Sequence, residues 1–271
     1  LHVMGEPLLH PRLAELLDIA GELGFRVCLV TNGTLLPRQL PTLESSPALH
    51  KLSVSLHSFE GNGRQDAAAP YLEGVWQAAQ RLSSRGVLCA LRLWNGGGLD
   101  RRNGEILSFL SEKLGRDVTA LPTDRLGNRR LGEGLFLEPG ERFDWPDPAA
   151  PDSGTEFCHG LRSQIAVLCD GTVVPCCLDS EGRLALGNLH RQELAEILVS
   201  PRVTAMAAGF SRRSHSHLRH PLCGAVRLHL RPDAGRALHH LRDPDGGKRS
   251  HGDLLRCPTP GCQAAGAAGG H

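Results

Sequence analysis

The chain has 271 residues, 40% of them hydrophobic and 22% charged, enough apolar content to enclose a sizeable core in one large domain or in a large and a small one. A formal net charge of +1 gives no reason to expect nucleic acid or an anionic membrane as the main partner. No apolar run approaches the roughly 20 residues that a membrane-spanning helix needs, and the expectation is a soluble, cytoplasmic protein.

From the first residue to about position 122, apolar strand candidates alternate with helical patterns. The strands are Leu1–Met4, Phe25–Val30, Lys51–Leu56, Val87–Trp94 and Val118–Leu121. Leu13, Leu16, Leu17, Ala20 and Leu23 fall on one helix face. Leu72, Val75, Trp76, Ala79 and Leu82 repeat that spacing, and Ile106, Leu107, Leu110 and Leu114 do so less fully. Gly24 and Gly86 stand where the first two of these helices should stop. Strands separated by amphipathic helices mean an α/β fold, a parallel sheet covered by helices, here a partial barrel.

The C-terminal ends of such strands form one rim, where β/α folds build their binding sites. Four polar groups fall on it: Gly5-Glu6-Pro7, Thr31-Asn32-Gly33, Ser55-Leu56-His57, and Arg92 through Asn95. Gly5 lets the backbone turn tightly, Glu6 offers a carboxylate to an amino or hydroxyl group, and Pro7 fixes the exit toward a helix starting near Pro11. Gly61–Ala69 and residues 95–100 read as loops beside that rim. Residues 125–155, rich in Gly and Pro, read as a bridging segment.

The nine cysteines are unevenly placed. Cys28 and Cys89 lie within apolar strands, whereas Cys158, Cys169, Cys176 and Cys177 crowd into 20 residues. Gln164–Leu168 and Thr172–Pro175 read as strands joined by a tight Asp170-Gly171 turn. That turn brings Cys176 back toward Cys158 and supplies half of a four-cysteine site for an iron–sulfur cluster or zinc. Cys223 is the third ligand candidate, while Cys169 is expected to pack within the hairpin. Helices are expected over Gln192–Val199 and Val203–Ala208. Residues 211–271 lose all periodicity and read as disordered or as translation in a shifted frame.

These motifs resemble the radical S-adenosylmethionine (radical SAM) enzyme family carrying a SPASM or twitch-type auxiliary iron–sulfur domain. The resemblance rests on Met4-Gly5-Glu6-Pro7, on Thr31-Asn32-Gly33 and Ser55 at successive strand ends, and on Cys158-x12-Gly171-x4-Cys176 followed by Leu186-Gly187-Asn188-Leu189. It implies a partial radical SAM barrel over 1–124, a bridge over 125–155, an auxiliary-cluster domain over 156–210 and a tail over 211–271. It also implies S-adenosyl-L-methionine as cofactor. Glu6 would receive its amino group, with Gly5 and Pro7 shaping the turn. Ser55 and Arg92 would hold its ribose or carboxylate, with Asn32 and Asn95 nearby. Cys158, Cys176 and Cys223 would ligate an auxiliary [4Fe–4S] cluster. The implied activity is that of an oxidoreductase or maturase, abstracting hydrogen with a 5′-deoxyadenosyl radical from a peptide or small-molecule substrate, with flavodoxin or ferredoxin as reductant.

Two departures stand out. No three cysteines have the Cys-x3-Cys-x2-Cys spacing that binds the family's catalytic cluster, and Val226 stands where a cysteine partner of Cys223 is due. The first departure, with a chain that opens inside a strand, leads to the expectation of an N-terminally truncated fragment, inactive as it stands. The rival readings are a non-catalytic zinc- or cluster-binding interaction protein and a barrel hydrolase or aldolase using His57.

Overall fold

Two compact units divide the chain between Phe143 and Asp144. The computed structural model describes residues 4–57, 68–96, 102–141 and 159–212. In the first unit, a 3-10 turn (Pro7–Leu9) leads into helix α1 (Leu13–Glu22) and strand β1 (Val27–Thr31). Helix α2 (Leu36–Ser45), strand β2 (Leu49–Ser55), helix α3 (Ala68–Ser83), strand β3 (Leu88–Gly96) and helix α4 (Asn103–Leu114) follow. A hairpin of β4 (Arg129–Gly132) and β5 (Leu135–Glu141) completes the unit.

The five strands form one sheet in the order β1-β2-β3-β5-β4, with β1, β2, β3 and β5 parallel and only β4 antiparallel. This is the expected α/β class with a parallel sheet. Leu29, Leu52, Val54, Leu91 and Leu137 share a buried cluster with Leu17 of α1, Leu40 of α2, Leu82 of α3 and Leu110 of α4. Strand side chains alternate between sheet faces. On β2, therefore, Leu52 and Val54 join the helix-covered core, while Lys51, Ser53 and Ser55 belong to the opposite face.

Several expectations change. Leu1–Val3 of the expected first strand lie outside the described residues, and Met4 stands exposed in a bend. Val118–Leu121, expected as a strand, is instead a 3-10 turn over Val118–Ala120. Asp117 accepts hydrogen bonds from the Thr119 backbone N–H and hydroxyl, both at 2.8 Å, and this local cap holds the chain helical. Within the expected bridge at 125–155, Arg129–Gly132 and Leu135–Glu141 supply two strands to the sheet. Residues 61–67 and 97–100 of the expected rim loops lie outside the described residues, whereas Asn95 and Gly96 continue β3.

The second unit has a small antiparallel sheet of β6 (Ala166–Val167), β7 (Thr172–Val174) and β8 (Gly187–Asn188). The β6–β7 hairpin turns at Asp170-Gly171 as expected, and the Asp170 carboxylate accepts from the Thr172 N–H at 3.0 Å. Helices α5 (Leu194–Leu198) and α6 (Pro201–Arg212) replace the two expected helices with slightly different limits. Val173, Leu184, Leu186, Ile197, Val203 and Met206 make the core. The buried Asp179 carboxylate accepts from the N–H groups of Arg183 (2.8 Å) and Leu184 (2.7 Å), closing the loop that carries Leu184 into that core. Residues 213–271 of the expected tail lie outside the described residues.

Candidate cofactor rim and cysteine unit

Glu6 sits at the N-terminus of the first 3-10 turn and is the anchor of the rim. Its Oε1 accepts from the Leu8 N–H at 3.0 Å and the Thr31 hydroxyl at 2.7 Å, and its Oε2 from the Asn32 N–H at 2.8 Å. Three of the about four acceptor sites of a carboxylate are thereby used within the chain. The expected grouping of Gly5, Glu6, Pro7 and Asn32 is therefore present, and Glu6 first of all ties the turn to the end of β1.

The rest of that strand end is locked in sequence order. Thr31 Oγ1 accepts from the Gly33 N–H at 3.0 Å, and the Tyr71 hydroxyl donates to the Asn32 carbonyl at 2.8 Å. Gly33 has φ +80°, and a Cβ there would stand 2.8 Å from Val54 Cγ1 and 3.0 Å from Val75 Cγ2, so only glycine fits. Burial raises the Tyr71 hydroxyl above its ordinary pKa, and the nearby Glu6 charge raises it further.

Ser55 and Arg92 are directly opposed in the parallel β2–β3 register. Arg92 is only 2% exposed and lies in register with Glu138 of β5 on its other side. Its Nε donates to Glu138 Oε2 at 3.3 Å, and its guanidinium carbon stands 4.2 Å from the centroid of the Trp94 ring. Lys51 Nζ donates to the other oxygen, Glu138 Oε1, at 3.0 Å. Burial lowers the Arg92 pKa and the Glu138 charge opposes that shift; a guanidinium stays protonated regardless. Among the described residues, Arg92 Nη2 and Ser53 Oγ are buried polar atoms without a hydrogen-bond partner. Ser53, like Ser55 and Arg92, stands on the sheet face away from the helices.

Asn95 exchanges two amide hydrogen bonds with Asn103, at 2.9 and 3.1 Å. Both line a small cavity with His57, Tyr71 and Arg102. His57 Nδ1 accepts from the Trp94 N–H at 3.3 Å.

Lys51, Glu138 and Tyr71 were not singled out from the sequence. Lys51-Leu52-Ser53-Val54-Ser55 alternates polar and apolar residues, a pattern that marks a two-faced strand. Glu138 had no such signal, because Pro139 and Gly140 obscure its strand.

In the second unit, Cys176 is partly buried just beyond β7, with Cys177 beside it. Cys169, expected inside the hairpin, is exposed, because the turn carries it to the surface. Cys158 and Cys223 lie outside the described residues. Among the described residues, no three His, Cys, Asp or Glu side chains are grouped to hold a metal ion, and no helix is long and apolar enough to cross a membrane.

Comparison with known families matches residues 1–110 to the radical SAM superfamily. That segment belongs to the superfamily, and a second match, over residues 158–225, adds the SPASM iron–sulfur cluster-binding domain. No curated protein matches the chain. The families imply, in general, S-adenosylmethionine, iron–sulfur clusters, a substrate and a reducing partner.

Proposed function

We propose that residues 1–124 form a partial radical SAM barrel whose rim holds S-adenosylmethionine, and that residues 156–210, with Cys223, carry an auxiliary [4Fe–4S] cluster. The carrying observation is that Glu6, Asn32, Ser55 and Arg92 gather around the C-terminal ends of neighbouring parallel strands, where open α/β sheets bind ligands. Glu6 keeps one acceptor position for the ligand's ammonium group. Ser55 and Arg92 face its ribose or carboxylate, and Arg92 Nη2, without a hydrogen-bond partner among the described residues, suits a carboxylate oxygen. Gly5 and Pro7 shape the turn, and Asn95 borders the site.

When bound and reduced at a [4Fe–4S] cluster, the cofactor supplies a 5′-deoxyadenosyl radical that abstracts hydrogen from a peptide or small-molecule substrate; the chain's own residues bind it, orient it and limit water. The 271 residues contain no Cys-x3-Cys-x2-Cys triplet. The catalytic cluster is therefore assigned to none of them, and the chain as it stands is not expected to cleave the cofactor. Cys158, Cys176 and Cys223 all fall within the matched SPASM segment and are the auxiliary-cluster ligands in this reading.

The test is anaerobic reconstitution of the full chain with iron and sulfide, alongside equilibrium dialysis against labelled S-adenosylmethionine. A brown, iron- and sulfide-containing protein is expected, with iron lost in Cys158→Ser, Cys176→Ser and Cys223→Ser but kept in Cys169→Ser. Colourless protein carrying stoichiometric zinc would replace the cluster reading with a zinc-binding one. Absence of saturable cofactor binding would remove the rim reading.

A further inference from the structure

Arg92, Glu138 and Lys51 form a charge set that the cofactor reading leaves unexplained. Their side chains are 3%, 17% and 19% exposed, and they comprise two cations around one carboxylate. Alternation places Lys51, Ser53 and Ser55 of β2, Arg92 and Trp94 of β3, and Glu138 and Gly140 of β5 on one sheet face, opposite the helix-covered leucines. A charge this enclosed needs both charge balance and hydrogen-bond partners. Neither is complete among the described residues: the set itself carries a net positive charge of one, and Arg92 Nη2 finds no partner.

The geometry also fixes which edge of the guanidinium is left over. Glu138 Oε2 takes the Nε edge at 3.3 Å, and the Trp94 ring covers one face with its centroid 4.2 Å away. Glu138 is not free to follow Arg92, because its second oxygen accepts from Lys51 Nζ at 3.0 Å. A guanidinium held at one edge and covered on one face points its remaining N–H groups in one direction. Ser53 Oγ, buried and likewise without a partner among the described residues, lies on the same face one strand away.

We propose that Glu138, clamped by Lys51, is the positioning residue that turns Arg92 so that its Nη2 edge meets the carboxylate of the sulfonium ligand. The inference rests on the rim reading above and adds to it the residue pair that makes Arg92 selective for a ligand bearing an acid group. Glu138 touches no ligand atom in this arrangement; it acts through Arg92.

The test compares binding of S-adenosylmethionine and of its decarboxylated analogue to the full chain by calorimetry. The two ligands share the sulfonium and the adenosine and differ only in the carboxylate. The wild-type chain is expected to prefer the carboxylate-bearing ligand by at least about tenfold, the lower end of what a charge-assisted hydrogen bond contributes. Glu138→Gln is expected to abolish that preference by weakening S-adenosylmethionine alone, with binding of the analogue unchanged. A merely structural glutamate would weaken both ligands together.

Glu138→Gln also leaves two enclosed cations unopposed, so the double variant Lys51→Met/Glu138→Gln, which restores a net charge of +1 to the set, serves where the single variant does not fold. It too is expected to lose the preference. Retention of the preference in either folded variant overturns the positioning role while the rim reading stands. A wild-type chain that binds both ligands equally overturns the proposal alone, and one that binds neither overturns the rim reading and the proposal with it.

Discussion

Tyr71 is the only tyrosine in the chain, so its ionisation can be followed without interference from others. Its hydroxyl donates to the Asn32 carbonyl, and enclosure first and the Glu6 charge second hold its pKa above the ordinary value. The folded chain therefore keeps a proton that the unfolded chain releases near pH 10, roughly the unperturbed tyrosine value. With more protons bound when folded, stability from this group is complete below about pH 10 and declines as pH rises above it. Burial raises the Cys89 thiol to about 12, which acts in the same direction, so the alkaline decline has two sources. Phenolate absorbance is expected to appear together with loss of helical circular dichroism, not before it. A phenolate that titrates near pH 10 in still-folded protein would contradict the enclosure. Tyr71→Phe should cost roughly 1 kcal/mol, the worth of one hydrogen bond, and remove the tyrosine share of the alkaline slope. None of this was legible in the sequence, where Tyr71 is one more residue near the start of an amphipathic helix. Glu6 was legible as a turn residue, because the flanking Gly5 and Pro7 mark a turn. Its three intramolecular hydrogen bonds were not, since they depend on where Thr31 and Asn32 arrive in space.

At the scale of elements, periodicity revealed α1, α3, α4 and strands β1 to β3, because their apolar residues recur at the helical or strand period. It missed α2, whose Pro37 and Pro41 argue against a helix interior even though Leu36, Leu40 and Leu43 bury one face. It also missed β5, and there the physical reason is visible. The Trp94 ring lies against Gly140 so closely that a Cβ would stand 2.8 Å from its Cδ1 and 3.2 Å from its Nε1. The glycine that disguises the strand is thus the condition for Trp94 to lie across it and cover Arg92. Gly140→Ala is expected to displace the ring and to destabilise the first unit by roughly 1–3 kcal/mol, as overpacking of a close contact does. Denaturant unfolding and a shift in tryptophan emission measure the two effects. Unchanged stability together with unchanged emission would mean that the ring does not rest on this glycine.

For the whole molecule, the contrast between the two cores sets an order of events. The first unit packs a large leucine-rich cluster from four helices against its sheet, whereas the buried cluster described in the second has six residues. Small units with thin cores generally depend on a disulfide or a metal for stability, and binding of that group then becomes part of their folding free energy. A segment matched to an iron–sulfur cluster-binding domain fits that rule. The cluster-free chain is expected to unfold in two steps, with amides of Ala166–Val174 and Leu194–Leu198 losing protection from hydrogen exchange at lower urea than those of Leu49–Ser55 and Leu88–Gly96. Two-state treatment of the whole chain would then be invalid. Reconstitution with iron and sulfide should raise the first step alone, since a ligand stabilises only the state that binds it. Saturating S-adenosylmethionine should raise only the second, through the rim residues of β1, β2 and β3. If iron moved the sheet of the first unit and left the hairpin of the second unchanged, the cysteines would have to be serving another part of the chain, and the division of labour argued from the two cores would be wrong.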